Sequence, residues 1–350
     1  MKFHKKLITW YLQNKRSMPW RETTDPYRIW LSEIMLQQTR VAQGLPYYLS
    51  FTKTFPTVFD LANAKEDEVL KLWQGLGYYS RARNLHATAK YVAHELGGVF
   101  PDNYKDLLKL KGVGDYTASA IASICYNEVV PVVDGNVYRV LSRYFGVKTP
   151  INSTAGIKEF KELAVTLIDH KDPANYNQAI MEFGALQCKP KKPYCIVCPI
   201  NEGCEALKTG KVDELPVKLK KQKIKKRYFN YLVFSINNNK TIIQQRTGNG
   251  IWKGLYEFPL IEDEKLSIET IKTNSIFKNL LVNKDFEIVP YYEEPLVHKL
   301  SHQHLYTRFY IIKLPEVSEI NGVQKTVDFQ EVHKYPVPIL LGNFIDEFFK

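Results

Sequence analysis

Four of the five cysteines in this chain fall in one short stretch, Cys188, Cys195, Cys198 and Cys204, spaced C-x6-C-x2-C-x5-C. Cysteines used as core hydrophobes are scattered, as Cys125 is. Four thiols gathered this closely point to one inorganic centre, either a [4Fe–4S] cluster or a zinc ion. Disulfides are the weaker reading, because Met1-Lys2-Phe3-His4-Lys5-Lys6 leads into no apolar run long enough for a signal peptide. Such a centre constrains the fold strongly: the residues from 188 to 204 must wrap a common point, and whatever precedes them must end there.

A chain of 350 residues holds two domains, each with its own core, and an apolar content of 45% suits globular rather than disordered protein. No stretch approaches the roughly 18 apolar residues of a membrane span. The expectation is a cytoplasmic, nucleoid-associated protein. A net charge of +11 suits a polyanion such as DNA or RNA.

Residues 1–204 read as mostly helical. Leu61, Ala62, Val69, Leu70 and Leu72 recur at helical spacing, as do Leu107, Leu108 and Leu110. From residue 229 the pattern changes. Tyr231–Ile236 and Phe309–Ile312 read as strands, and Asn237-Asn238-Asn239 reads as a hairpin turn before the strand Thr241–Ile243. Val337 to Phe349 reads as a closing helix. Between the halves, the connector 205–228 carries nine basic residues against three acidic ones, a charge of +6. It reads either as a solvated linker or as a segment that meets a phosphate backbone or an acidic partner.

Leu110-Lys111-Gly112-Val113-Gly114-Asp115-Tyr116-Thr117-Ala118 joins two helical patterns, about 105–125. Its glycines permit a tight turn with the backbone open to close approach. Thr117 onward opens a helix whose free N–H groups suit a phosphate. Two carboxylates then stand out. Asp25-Pro26 reads as a helix start, followed by a run in which Glu33 is the only charge among apolar and amide residues. A carboxyl so placed keeps its proton to higher pH, as a general acid requires. Asp134, in Val132-Val133-Asp134-Gly135-Asn136-Val137, reads as an N-cap and as a candidate second carboxylate. Breaking an N-glycosidic bond places positive charge on the sugar and negative charge on the base. That chemistry wants an acid at the base and an ionised carboxylate near the sugar.

Pro19-Trp20-Arg21, Asp25-Pro26-Tyr27, Leu31 through Thr39, Gly75-Leu76-Gly77-Tyr78-Tyr79 with Arg81-Ala82-Arg83-Asn84-Leu85, the hairpin, Val133 through Val137 and the four cysteines together resemble the MutY-type adenine DNA glycosylases of the helix-hairpin-helix, endonuclease III superfamily. The resemblance runs in order along nearly the whole chain. It implies a multidomain α plus α+β architecture. Residues 1–204 form an all-helical glycosylase fold whose cysteine loop, 188–204, holds a [4Fe–4S] cluster rather than zinc. Residues 229–350 form a Nudix-like α+β domain, by the likeness of Ile242 to Arg246, Gly250 to Pro259 and Leu300-Ser301-His302. No G-x5-E-x7-R-E-x2-E-E pattern follows Gly254, which implies recognition without pyrophosphatase chemistry.

The resemblance further implies a monomer acting on double-stranded DNA with adenine opposite 8-oxoguanine or guanine, the adenine being flipped into a pocket. Glu33 protonates the base and later activates water. Asp134 stabilises or captures the sugar cation, and Tyr116 and Asn136 support both. Gln38, Thr39, Leu76, Tyr78, Gly112, Gly114, Ser301 and His302 contact the DNA or the lesion. Tyr116 occupies the place where endonuclease III enzymes carry a Schiff-base lysine, which implies a monofunctional enzyme. The chain departs from the family at Lys111, where proline is usual, at Asp115, where a basic residue is frequent, and at Leu300, where phenylalanine is common.

Overall fold

The computed structural model describes residues 3–220, 224–264, 266–274, 277, 286–315 and 324–349. Lys221 and Lys223 of the connector lie outside the described residues. The chain forms two compact units, Met1–Asn63 with Asn84–Lys220, and Ala64–Arg83 with Lys221–Lys350. The division is thus interleaved rather than linear. Residues 64–83 group with the C-terminal half, and residues 205–220 stay with the helical half.

The helices are α1 (Phe3–Asn14), α2 (Pro26–Leu36), α3 (Val41–Thr54), α4 (Val58–Asn63), α5 (Glu66–Leu72), α6 (Ser80–Glu95), α7 (Tyr104–Leu107), α8 (Asp115–Tyr126), α9 (Gly135–Phe145), α10 (Thr154–Leu167), α11 (Pro173–Leu186) and α12 (Glu205–Lys208). Leu61 and Ala62 fall in α4, and Val69, Leu70 and Leu72 in α5. Asp25 caps α2 by accepting the Tyr27 N–H, with Pro26 in the first turn. Asp134 caps α9, and Asn127 and Gly146 end α8 and α9 in the left-handed conformation.

The helical core gathers Leu141, Phe160, Tyr176, Ile180 and Phe183 from α9, α10 and α11. Helix α2 is buried nearly all round, including Ser32 and Glu33. Glu33, the one charge of its run, is therefore enclosed. Helix α11 crosses α9 so closely at Gly184 that a Cβ there would lie 2.7 Å from the Asn136 Cβ and 2.9 Å from its carbonyl oxygen.

The second unit is built on a mixed sheet of β1 (Lys225–Ile236), β2 (Lys240–Gln245), β3 (Tyr256–Glu257), β4 (Leu260–Ile261), β5 (Glu287–Pro290), β6 (Leu296–Lys299), β7 (Gln303–Leu314) and β8 (Gln324–Asp328), with α13 (Ile268–Thr273), α14 (Phe329–Val332) and α15 (Ile339–Phe348). The main order is β3-β2-β1-β7-β5, with β4 on β1, β6 on β7 and β8 on β2. Asn237 and Asn238 take φ of 47° and 53° in the three-residue connection between Ile236 and Lys240, which the Asn239 N–H closes on the Ile236 carbonyl at 3.1 Å. The long parallel pair β1–β7 is buried on both faces over Tyr231–Phe234 and Phe309–Ile312, so its sequence is continuously apolar there, and Ser235 and exposed Lys313 end the run. Leu232, Phe234, Tyr310 and Ile312 face α13, while Phe309 stacks on Phe344 of α15 at 4.0 Å between ring centroids.

The segment 64–83 is an integral part of this unit. The Tyr256 hydroxyl donates to Asp67 at 3.1 Å, the Lys71 ammonium to the Tyr335 carbonyl at 3.3 Å, the Val337 N–H to Gln74 at 3.2 Å, and Arg83 to the Lys253 carbonyl.

Replacing Phe344 with Ala removes a ring packed on Phe309, Phe258 and Tyr291. The expected cost is about 3–5 kcal/mol. Urea unfolding followed by near-ultraviolet circular dichroism checks it, and an unchanged midpoint would contradict the role given to this stack.

Candidate active site

Helices α2, α8, α9 and α11 converge on a cavity of about 590 Å³. Glu33, Thr39, Tyr116, Asp134 and Asn136 line it, so the sequence-based candidates for acid, second carboxylate and supporting groups share one space. Residues that the sequence reading did not single out line it too, among them Arg16, Arg139, Gln178, Met181 and Glu182, beside Arg21, which was quoted in a motif without a role. For Glu182 a signal existed: it is a lone carboxylate inside the apolar run of α11, as Glu33 is in α2.

The carboxyls differ in how they are satisfied. Burial pushes Glu33 up to about 7, opposed by a hydrogen bond from Tyr116 and the charge of Arg21 and reinforced by the charge of Asp134. The Tyr116 hydroxyl also lies 3.2 Å from the Met181 sulfur, and burial raises this phenol well above its ordinary value. Asp134 Oδ1 accepts the backbone N–H groups of Asn136 and Val137 at 2.9 and 2.8 Å, and Oδ2 accepts the Asn136 side-chain amide at 2.7 Å. Burial raises Asp134, while those three N–H donors and Arg139 pull it down. Glu182 would also be raised by burial. Arg16, bidentate at 2.7 Å to each oxygen, and Arg21 at 2.8 Å outweigh that and hold it at about 2.

Arg139 fixes the far side of Asn136. Its guanidinium donates to Asn136 Oδ1 at 2.9 Å, to the Gly184 carbonyl at 2.6 Å and to the Cys188 carbonyl at 2.7 Å. One turn along α9, Arg143 donates to the carbonyls of Lys189 and Leu215 and lies 3.4 Å from the Cys188 sulfur. Cys188, Cys195, Cys198 and Cys204 are free thiols that line one cavity of about 30 Å³. Among the described residues no three His, Cys, Asp or Glu side chains close around a point that would hold a metal ion. Four thiols around one shared space, faced by the Arg143 guanidinium, fit a thiolate-ligated metal centre.

The hairpin between α7 and α8 presents Lys111, Gly112 and Gly114 to solvent while Val113 is buried. Gly112 has φ +82°, and a Cβ there would meet the Asn84 Cβ at 2.8 Å. Gly114 caps α8, and a Cβ on it would meet nothing within 4 Å, so its face is open to a ligand. Helix α8 begins at Asp115, two residues before the expected start at Thr117. Exposed Gln38 has φ 56° in the turn after α2, and Gln37 donates to Thr117 at 3.2 Å.

The remaining candidates belong to the second unit. Leu76 is buried. Tyr78 is 44% exposed with φ 49°, between Gly77 at φ 80° and the first turn of α6. The Tyr78 hydroxyl lies 3.4 Å from the Ser301 hydroxyl, and Ser301 lies 3.3 Å from His302 Nδ1. Exposed Ser301 and His302 occupy a turn closed by the Leu300 N–H on the Gln303 carbonyl at 2.8 Å.

The Glu33 shift has a stability consequence. Its folded value of about 7 lies above the ordinary 4.5, so between these pH values the native state binds more protons than the unfolded chain. Stability then falls as pH rises through this window, by at most about 3 kcal/mol. Glu33→Gln has no such titration. Urea unfolding from pH 4 to pH 8 should show the variant gaining on the native protein as pH rises. A constant difference would refute the burial penalty.

Residues 31–164 match the HhH-GPD superfamily of base excision DNA repair proteins, and residues 231–347 match the NUDIX domain. The chain is 33% identical to an adenine DNA glycosylase of Buchnera aphidicola (Schizaphis graminum), over 99% of this chain and 98% of that one. It is 37% identical to the Arabidopsis thaliana adenine DNA glycosylase over 73% of this chain and 46% of that one, and 43% identical to the Homo sapiens one over 61% and 41%. A solved thermostable thymine-DNA glycosylase aligns with a TM-score of 0.55 and 32% identity, covering 59% of this chain and 95% of that one. An endonuclease III–DNA complex aligns at 0.52 and 19%, covering 59% and 94%, a likeness of fold alone. Among the described residues no helix is long and apolar enough to cross a membrane. The helical helix-hairpin-helix fold and the Nudix-like domain expected from the sequence are both present, and the chain belongs to the adenine DNA glycosylases, the DNA N-glycosylases that act in base excision repair.

Proposed function

We propose that the chain excises adenine mispaired with 8-oxoguanine, or with guanine, as a monofunctional hydrolase. The observation that carries this reading is Glu33: a buried carboxyl raised to about 7, in the same cavity as a second carboxylate already held by three N–H donors. A flipped adenine in this cavity takes the Glu33 proton on its ring. The bond from ring nitrogen to the sugar C1′ then breaks, its electron pair leaving with the base. Asp134 meets the positive charge at C1′, by electrostatics or by a transient bond. Glu33, now ionised, takes a proton from the water that adds to the sugar, restoring the acid. Tyr116 steadies Glu33, and Asn136 steadies Asp134. Burial raises both carboxyls, and the three N–H donors on Asp134, against one phenol on Glu33, favour Asp134 as charge stabiliser and Glu33 as acid.

A tyrosine at position 116 offers no amine to form an imine with the sugar, which supports hydrolysis without strand scission. Gly112 and Gly114 seat a phosphate at the start of α8. Gln38, Thr39 and Tyr78 probe the opposite strand, while Leu76, expected to join them, is buried and supports the loop from inside, and Ser301 and His302 read the edge of the oxidised guanine. The proximity of Tyr78 to Ser301 supports a shared role. The four cysteines hold a [4Fe–4S] cluster, which when bound anchors the loop that carries Lys189, Lys191 and Lys192 near DNA.

Single-turnover release of adenine is expected from a duplex with adenine opposite 8-oxoguanine and not from adenine opposite thymine. Glu33→Gln should abolish release while retaining binding. Strand breaks should appear only after added base or heat, and robust scission without them would sink the monofunctional reading. The purified protein should contain about four iron atoms with matching acid-labile sulfide. A colourless zinc protein of full activity would refute the cluster.

A further inference from the structure

The start of β1, where the basic connector ends, forms part of a cationic and aromatic field that the excision chemistry does not use. The parallel register of β1 and β7 sets Lys226 beside His304, Tyr228 beside Tyr306 and Asn230 beside Arg308. The antiparallel register of β6 on β7 adds Lys299 beside His304 and Val297 beside Tyr306. Side chains paired across strands point to one face, and successive rows on that face lie roughly 6.6 Å apart. Further along, this face is core, with Leu232, Phe234, Tyr310 and Ile312. Toward the Ser301 turn it opens. Lys226, Lys299 and Val297 are exposed, and Tyr228, His304, Tyr306 and Arg308 are half-buried.

The two tyrosines stack, with ring centroids 5.2 Å apart and 23° between planes, and the Lys226 ammonium lies 5.9 Å from the Tyr306 ring. Arg308 donates to the Glu293 carbonyl at 3.0 Å, and the Tyr228 hydroxyl bonds to Glu264, a carboxylate at the margin of the field. The field adjoins the Ser301 turn directly, because the Lys225 N–H donates to the His302 carbonyl at 3.1 Å.

Stacked rings framed by cations match a nucleic-acid strand, whose bases stack on aromatic faces while its phosphates meet the cations. A duplex hides its base faces, so only unpaired bases can use the rings. An acidic protein would use the cations and gain nothing from the stack. We propose that this face binds an unpaired stretch of DNA strand, its bases on Tyr228 and Tyr306 and its phosphates on Lys226, Lys299 and Arg308.

The test uses the full chain and a short single-stranded oligodeoxynucleotide. Tyr228→Ala with Tyr306→Ala should weaken binding about fivefold or more without changing its salt dependence. The Tyr→Phe pair, which keeps the rings and loses the bond to Glu264, should bind as the native protein does. Lys226→Ala with Lys299→Ala should lower the slope of log affinity against log salt by about 1.4. Excision of adenine from a mispaired duplex should be unchanged in all three, so the proposal stands or falls apart from the excision reading. In the native protein an iodouracil-substituted oligonucleotide should photocrosslink to Tyr228 or Tyr306. Crosslinks confined to other residues would overturn the proposal. So would an alanine pair that binds like the native protein. Displacement of the strand by polyglutamate at equal charge would do the same and would mark a dock for an acidic protein.

Discussion

Three carboxyl groups line one cavity, and the chemistry depends on their being satisfied in three different ways. Glu182 is locked as an anion by two arginines and falls to about 2. Glu33 receives only a phenol hydrogen bond against the cost of burial and rises to about 7. Asp134 is spent as a helix cap, its oxygens turned to N–H donors that a neutral acid would serve less well. Arg21, paired to Glu182, acts on Glu33 as a smaller lowering charge, so α11 bears on the proton held on α2 through this arginine. The close approach at Gly184 keeps α11 near enough to α9 to share Arg139 with Asn136.

The second unit shows strain concentrated where contact with DNA is proposed. Gly75, Gly77 and Tyr78 take φ of 95°, 80° and 49°, three left-handed residues in four. Only the tyrosine carries a steric cost there. The loop is held from inside: Trp73 donates to the Gly77 carbonyl at 3.0 Å, Arg81 donates to the same carbonyl at 3.1 Å, and the Arg81 guanidinium lies over both the Trp73 and Tyr78 rings. Holding Tyr78 exposed in this conformation before DNA arrives reduces the ordering left for binding.

What the sequence disclosed, and what it hid, follows from range. The Asp25 and Asp134 caps, the left-handed asparagines of the β1–β2 turn and the glycines of the hairpin are local devices, legible within a few residues. Glu33 stood out because one charge in an apolar helix is itself local information. That its helix is enclosed on all sides was not legible, since a local pattern counts neighbours along one helix and not the helices packed around it. The Arg16–Glu182 pairing spans 166 residues, and nothing local to either residue announces it. The grouping of residues 64–83 with the C-terminal half is equally remote, being made by contacts such as Asp67 with Tyr256 and Lys71 with Tyr335. The roles of Tyr78 and Ser301, and the choice of cluster over zinc, were read from resemblance, whereas the shared centre of the cysteines was read from their spacing. The structure supplies them with neighbours, not with a reaction.

At Asp115, where a basic residue is frequent, distant neighbours bear on what the local charge does. A carboxylate in the first turn of α8, beside the glycine hairpin, reads as repulsive to a phosphate. Asp115 is not bare. The Lys161 ammonium reaches it from α10 at 3.0 Å and also meets the Ser119 hydroxyl and the Pro131 carbonyl, while the Tyr104 hydroxyl donates to its other oxygen. At the hairpin the pair is close to neutral, and the exposed N–H groups of the α8 start are left to set the local potential. The carboxylate then acts as a tie joining α7, α8 and α10, and rigidity of the hairpin replaces the direct attraction that a basic residue at this position would have given.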